Sequence, residues 1–404
     1  MKQKQVGALF LGILLCLTSC VKAPVQKERT TKTLEVWYYW DSQTVQRNFR
    51  KMIQTFNNQH SDVEVVSKYV PDEDFKKQLA LAIADGVMPA MAIVDSSDLL
   101  YFDSLEPLID MSEIVDEDTY MDVAVEACRS EEGKIKGLPL GLNCLAFFYN
   151  EDLLEKANVK PPETLEEFAL AATKLTSDKV YGCAFPSLQS EESIFCFLPI
   201  LWGMGGSLDH INSENSRKAF DFLRQLSVQG AMSRDAVHMT LNDIEKAFVR
   251  EELAMMFNAS FVGPLLAEGN PKLRFKVAPI PTGDQKISVV GGEVLALMDT
   301  GDTAEAMEFA RFMADPENMR EYLDDLGYFS PRKDLLEWQA ERDSYCRQCM
   351  GILETARPRE FIPEWPKISM EITRVINQVI LREDQEDTIE ELEKKINKIR
   401  GGRP

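Results

Sequence analysis

Leu34-Glu35-Val36-Trp37-Tyr38-Tyr39-Trp40 is a run of aromatic and β-branched residues that stops at Asp41-Ser42. Such a run suits a pleated, half-buried surface and reads as a strand. Asp41 and Ser42 offer an N-cap, and Val45, Phe49, Met52, Ile53 and Phe56 follow at helical spacing. Val63 to Tyr69 reads as a second strand, and Phe75 to Ala84 as a second helix ended by Asp85-Gly86. Met91 to Val94 is a short, wholly apolar third strand that halts at Asp95-Ser96-Ser97. Alternating strands and helices of this kind imply an α/β fold, a parallel-rich sheet flanked by helices. Ligands of such sheets gather beyond the carboxyl ends of the strands, so Trp40-Asp41 and Asp95-Ser96 are the first candidate site residues.

The rest of the 404-residue chain has room for two or three folding units. Hydrophobic residues make up 45% and charged ones 27%, a globular composition. The net charge is −21, and without residues 1–19 it is 43 basic against 66 acidic residues, or −23. That surface repels phosphate backbones and anionic headgroups, which argues against a nucleic-acid partner. His60, His210 and His238 lie far apart, with no metal-ligand spacing, so no metal and no cofactor is expected. No Gly-x-Ser-x-Gly frame and no phosphate-cradling Gly-rich loop with Lys is present.

The first residues give an address. Met1 to Gln5 is basic, and Val6 to Leu17 is an apolar run of twelve residues. As a helix it spans about 18 Å, short of a bilayer core of roughly 30 Å, and it reads as a secretory signal peptide. Leu17-Thr18-Ser19-Cys20 resembles the bacterial lipoprotein cleavage box, which makes Cys20 the expected lipidation site, and residues 20–33 an anchor and polar tether. An ordinary signal peptide with a chance cysteine is the alternative. Beyond Cys16 and Cys20 stand Cys128, Cys144, Cys183, Cys196, Cys346 and Cys349, whose pairing the spacing leaves open. Cys346 and Cys349 have redox-motif spacing but no preceding βαβ pattern, so scattered buried or partly paired thiols are the expectation.

The most specific pattern runs from Gly133-Lys134-Ile135-Lys136-Gly137-Leu138-Pro139 into Leu145-Ala146-Phe147-Phe148-Tyr149-Asn150-Glu151-Asp152-Leu153-Leu154. Pro161-Pro162-Glu163-Thr164 then introduces a helix over Leu165 to Leu175, with Thr164 and Glu167 placed as a capping box. Lys246-Ala247-Phe248, Ala278-Pro279-Ile280-Pro281, Gly291-Gly292 and Ala306-Met307-Glu308-Phe309 follow in order. In these fragments the chain resembles the family 1 extracellular solute-binding proteins, the maltose-binding-protein-like components of ABC importers. It departs from them at Leu165 and Phe261, where the family favours Trp, and at Arg250-Glu251, which replaces Gly-Lys.

The resemblance implies a type II periplasmic-binding-protein-like fold, two α/β lobes with a cleft between them. Lobe one would take residues 34–142 and 291–332, and lobe two residues 146–288 and 335–400. Hinges would lie near 141–145, 289–292 and 332–335. The resemblance also implies ligand contacts at Asp95 and Ser96, at Asn258, Ser260 and Phe261, at Gly291, Gly292 and Glu293, and at Trp365. A sugar ring offers an apolar face and a hydroxyl rim, which suits a stacked Trp40 beside an acceptor Asp41. Each position has a plainer reading: core packing for Trp40 and Phe261, helix capping for Asp41 and Asp95, a surface position for Glu293. Trp202 is expected to be structural.

The expected function is a non-enzymatic, lipid-anchored, extracytoplasmic receptor that captures a small solute, a carbohydrate by expectation, and delivers it to an ABC permease. It would act as a monomer, touching the membrane through its anchor alone. A polyamine or a polyol phosphate is the alternative ligand. A surface glycosidase with paired carboxylates is the alternative class.

Overall fold

The computed structural model describes residues 31–401 apart from 324 and 325. Cys16, Cys20, the signal peptide and residues 402–404 lie outside the described residues.

Nine strands are described: β1 (Lys32–Tyr38), β2 (Val63–Tyr69), β3 (Met91–Asp95), β4 (Leu138–Asn150), β5 (Tyr181–Ala184), β6 (Leu253–Ala259), β7 (Phe275–Ala278), β8 (Ser288–Leu297) and β9 (Ala356–Arg357). They follow one path, β2-β1-β3-β8-β4-β6-β5, with β7 on β4 and β9 on β8. The β1–β2, β1–β3 and β5–β6 pairs are parallel, as strand–helix alternation demands. The long strands β4 and β8 run antiparallel to each other and to their other main neighbours, so the sheet is mixed at its centre.

Two separate apolar cores flank this centre. The first gathers β1–β3 and their helices with Leu138, Leu140 and residues from Val294 to Tyr328. The second gathers Leu145, Phe147, β6 residues and the helices Leu165–Leu175, Glu191–Gly203, Glu214–Val228 and Trp365–Leu381. β4 crosses between them: Leu138–Cys144 pairs with β8, and Leu145–Asn150 pairs with β6 and β7. β8 crosses as well, with Val289 in the second core and Val294 to Leu297 in the first. A third link is the reciprocal pair of backbone hydrogen bonds between Leu142 and Phe329, each 2.8 Å. A smaller third core lies under the crossing, where Leu142, Cys144 and Val290 meet Phe329, Leu336 and Cys349.

Local structure obeys the spacing rules. The helix Gln43–Gln59 buries Val45, Phe49, Met52, Ile53 and Phe56, the residues its periodicity marks. Ser42, not Asp41, caps it, accepting the Val45 N–H. Thr164 caps the helix Leu165–Leu175 as expected, accepting from Glu167 N at 3.1 Å. Glu167 accepts the Glu163 N–H instead of the Thr164 one, so the capping box is not closed reciprocally. Ile389, Leu392 and Ile396 of the helix Thr388–Ile399 are buried in the second core. The six cysteines from Cys128 to Cys349 are all buried and unpaired, and burial raises their thiol pKa values, which makes them inert small hydrophobes.

Candidate functional site

β1 and β3 are parallel neighbours, so Trp40-Asp41 and Asp95-Ser96 leave the sheet at the same end of its strands. β8 runs beside β3 in antiparallel register and sets Glu293 opposite Asp95. On its other side Glu293 faces Gly141 of β4. The carboxyl ends of the first lobe's strands and the crossing strands thus share one corner. From the second core, Phe261 at the start of the helix Val262–Gly269 and the segment before Trp365 reach toward it.

The candidate residues take different roles there. Trp40 is only 5% exposed and belongs to the first core, with Phe49 edge-on at 5.3 Å and Tyr322 at 6.3 Å. The expectation of an open stacking face is corrected: the indole is buried among aromatic rings. Its Nε1 lacks a hydrogen-bond partner, yet it lies close enough to Glu293 to favour that carboxylate. Asp41 is exposed and accepts the Tyr69 hydroxyl, whose pKa this bond pushes up to about 12.

Asp95 caps the short turn Ser96–Asp98, accepting from Ser97 N at 2.8 Å and Ser97 Oγ at 2.7 Å. The same Oδ1 accepts Arg359 Nη2 at 2.7 Å. Capping and a polar contact across the corner are therefore combined in one carboxylate. Burial opposes its charge, but Arg359 and the Ser97 donors outweigh burial and hold its pKa below the usual range. Ser96, Gly291, Gly292 and Glu293 line a void of about 10 Å³, room for roughly one water.

Asn258 and Ser260 each make hydrogen bonds within the protein. Asn258 is fully buried, donating to Leu241 O at 3.0 Å and accepting from Ala259 N at 2.8 Å. Ser260 Oγ accepts from Cys144 N at 3.1 Å, tying β4 to the end of β6. Phe261 is half-buried and touches all three cores, with its ring 5.2 Å from Tyr328. Gly291 and Gly292 need their missing side chains: a Cβ would meet Asn143 Oδ1 at 2.7 Å and Gly141 O at 2.3 Å respectively. Trp365 is fully buried in the second core, and its Nε1 donates to Glu191 Oε2 at 3.1 Å, so it positions that acid.

Glu293 is the most perturbed acid of the corner. Burial, then the charge of Asp95, pushes its carboxyl up to about 8, although Tyr328 Oη donates to it at 3.3 Å. Asp98 is raised to about 7, chiefly by burial, despite Lys76 at 2.7 Å. Sequence reasoning missed Arg359, Glu191, Lys76 and Tyr328. A usable signal was present in Arg357-Pro358-Arg359-Glu360-Phe361-Ile362-Pro363, an irregular Pro-held segment of the kind that carries binding residues.

Buried donors and a protonated acid of this kind can hold hydroxyl groups, and the aromatic rings of Phe261 and Tyr328 can cover an apolar face. The sequence profile described as bacterial extracellular solute-binding protein matches residues 51–343. The melibiose/raffinose/stachyose-binding protein of Bacillus subtilis is 24% identical over 341 residues, covering 79% of each chain. Among solved structures, a solute-binding protein of Thermotoga lettingae bound with α-D-tagatose superposes with a TM-score of 0.82 at 21% identity, over 91% of this chain and 100% of that one. A ribitol complex from Agrobacterium radiobacter gives 0.79 at 18% identity, over 91% and 98%.

Proposed function

This chain belongs to the bacterial extracellular solute-binding proteins, and from that premise we propose that it captures a neutral polyhydroxylated solute, a sugar or sugar alcohol, for an ABC permease. The observation that carries the reading is the corner where Glu293, Tyr328 and the Trp40 N–H meet beside Phe261. Sugars and a polyol bound to the relatives named above support the same class. Residues 34–142 and 291–332 would form one lobe and residues 146–288 and 335–400 the other, hinged where β4 and β8 cross. A hinge equilibrium shifts only by the ligand's differential affinity for the two states, so the solute must touch both lobes. The protein would act as a monomer, held to the membrane by lipid on Cys20 and exposed outside the cytoplasm.

A polyamine is the weaker reading, because Arg359 and Lys76 already occupy the acids it would need. A polyol phosphate would meet a surplus of carboxylates. A glycosidase would need a free carboxylate beside its raised acid, and Asp95 is tied by three donors.

A thermal-shift screen over sugars, polyols, polyamines and polyol phosphates tests the assignment, with product analysis on every sugar. Solute at 100 times its dissociation constant adds about 2.7 kcal/mol of stability. Stabilisation by sugars or polyols without turnover is the expected result. Stabilisation by polyamines alone, or release of cleaved sugar, overturns it.

A further inference from the structure

We propose that Arg359 sets the charge selectivity of the cleft, as a built-in cation that clamps the two lobes together and takes the place a cationic solute would occupy. The inference rests on the solute-binding reading above and deepens it.

The Arg359 side chain is 3% exposed. Its Nη2 donates to Asp95 Oδ1 at 2.7 Å, and its Nη1 to Glu191 Oε2 at 3.1 Å. Asp95 ends β3, whose apolar residues build the first core. Glu191 opens the helix Glu191–Gly203, whose apolar residues build the second. One guanidinium is therefore held by carboxylates from both sides of the crossing strands. Its lobe-two surroundings are built around it: the Phe195 ring lies 5.7 Å from Cζ, and the buried Trp365 N–H fixes Glu191. Of Arg359's two ion pairs, the one to Asp95 spans the two cores and is the one lost when the lobes part.

Acids crowd this corner, Asp72, Asp95, Asp98, Glu191 and Glu293 among them. Left alone they would draw in an ammonium group. Arg359 neutralises two of them, and Lys76 pairs with Asp98. Glu293 resists ionisation because it is buried. A diamine would have to displace a guanidinium that is already desolvated and bonded on two sides, which costs the buried pair its partner. A neutral polyol meets no such barrier.

The test compares wild type, Asp95→Asn and Arg359→Ala by small-angle scattering without solute, and by calorimetry with putrescine and with the best sugar or polyol from the screen. Asparagine keeps the Oδ1 acceptor but carries no charge, so Asp95→Asn takes the ion pair out of the clamp while keeping the turn. Wild type should be compact and Asp95→Asn expanded, with solute affinity about tenfold weaker, as loss of a charge-assisted bond implies. Arg359→Ala should gain putrescine binding that wild type lacks, and guanidinium chloride should restore its compact form. If Arg359→Ala does not fold, scattering and affinity of Asp95→Asn decide. Equal radii for wild type and Asp95→Asn, or putrescine binding to wild type, overturns the clamp. Expansion of Asp95→Asn in a protein that binds no sugar or polyol keeps the clamp and removes the sugar reading. Sugar binding with unchanged radii removes the clamp alone.

Discussion

Asp95 and Glu293 are direct partners across the β3–β8 pair, and their carboxyls are driven in opposite directions. Arg359 and two Ser97 donors keep Asp95 charged despite burial. Glu293, one strand away, forms no ion pair among the described residues and is pushed up to about 8 by burial and by that same Asp95 charge. The pair places a fixed acceptor next to a carboxyl that can donate, the two roles a sugar hydroxyl requires.

This split has a consequence for stability. Glu293, Asp98 and Glu192 all have folded pKa values raised, to about 8, 7 and 7, chiefly by burial. Between the ordinary carboxylate range and those values the folded chain holds more protons than the unfolded one. Stability therefore falls as pH rises through that window and levels off above it. Thermal midpoints measured from about pH 5 to about pH 9 should decline and then flatten. Glu293→Gln should show a shallower decline and exceed wild type near pH 8. An unchanged slope in that variant would remove Glu293 as a contributor.

Trp40 is first a core residue. Trp40→Ala should cost about 3–5 kcal/mol of folding stability in urea titrations, the usual range for deleting a buried Trp side chain. Trp40→Phe keeps most of the packing and removes the N–H that lies near Glu293. It should retain most of the stability and weaken solute binding. Trp202, half-buried with Arg357 5.9 Å above its ring, should tolerate Phe with little change in either measurement.

The crossing strands leave no space at Gly292, where a Cβ would sit 2.3 Å from Gly141 O of the neighbouring strand. The obstruction is backbone and cannot rotate away. Gly292→Ala should destabilise the chain by about 1–3 kcal/mol, as overpacking does. It should also alter the solute-free radius in scattering, because the strain falls where β4 and β8 cross, the proposed hinge. Wild-type values for both would place the hinge elsewhere.

The anchor can be tested separately from the cleft. Cys20→Ser should shift the exported protein from the detergent phase to the aqueous phase. One acyl chain binds membranes marginally, so more than one is needed for stable anchoring. Equal partitioning of variant and wild type would exclude lipidation at this residue.

The alternation of strand and helix, the residues buried on the first helix, and the order of motifs across the chain were all legible without coordinates. They depend on periodicity and local propensity, which sequence expresses directly. The arrival of Trp40-Asp41 and Asp95 at one end of the sheet was legible too, since neighbouring parallel strands finish on the same side, whereas Glu293, in the middle of β8, was implied only by the family resemblance. What the sequence could not express was which side each side chain faces. Trp40 and Trp365 looked like free stacking platforms, but adjoining elements bury both rings. Asn258 and Ser260 looked available until Leu241, Ala259 and Cys144 claimed their polar atoms. Arg359 lies 264 positions from Asp95, and no local rule links them. Sequence alone determined an α/β chain of solute-binding type, because patterns repeat along a strand or helix. Tertiary structure alone decided how the cleft is charged, because burial and ion pairing depend on segments that meet only when β4 and β8 cross.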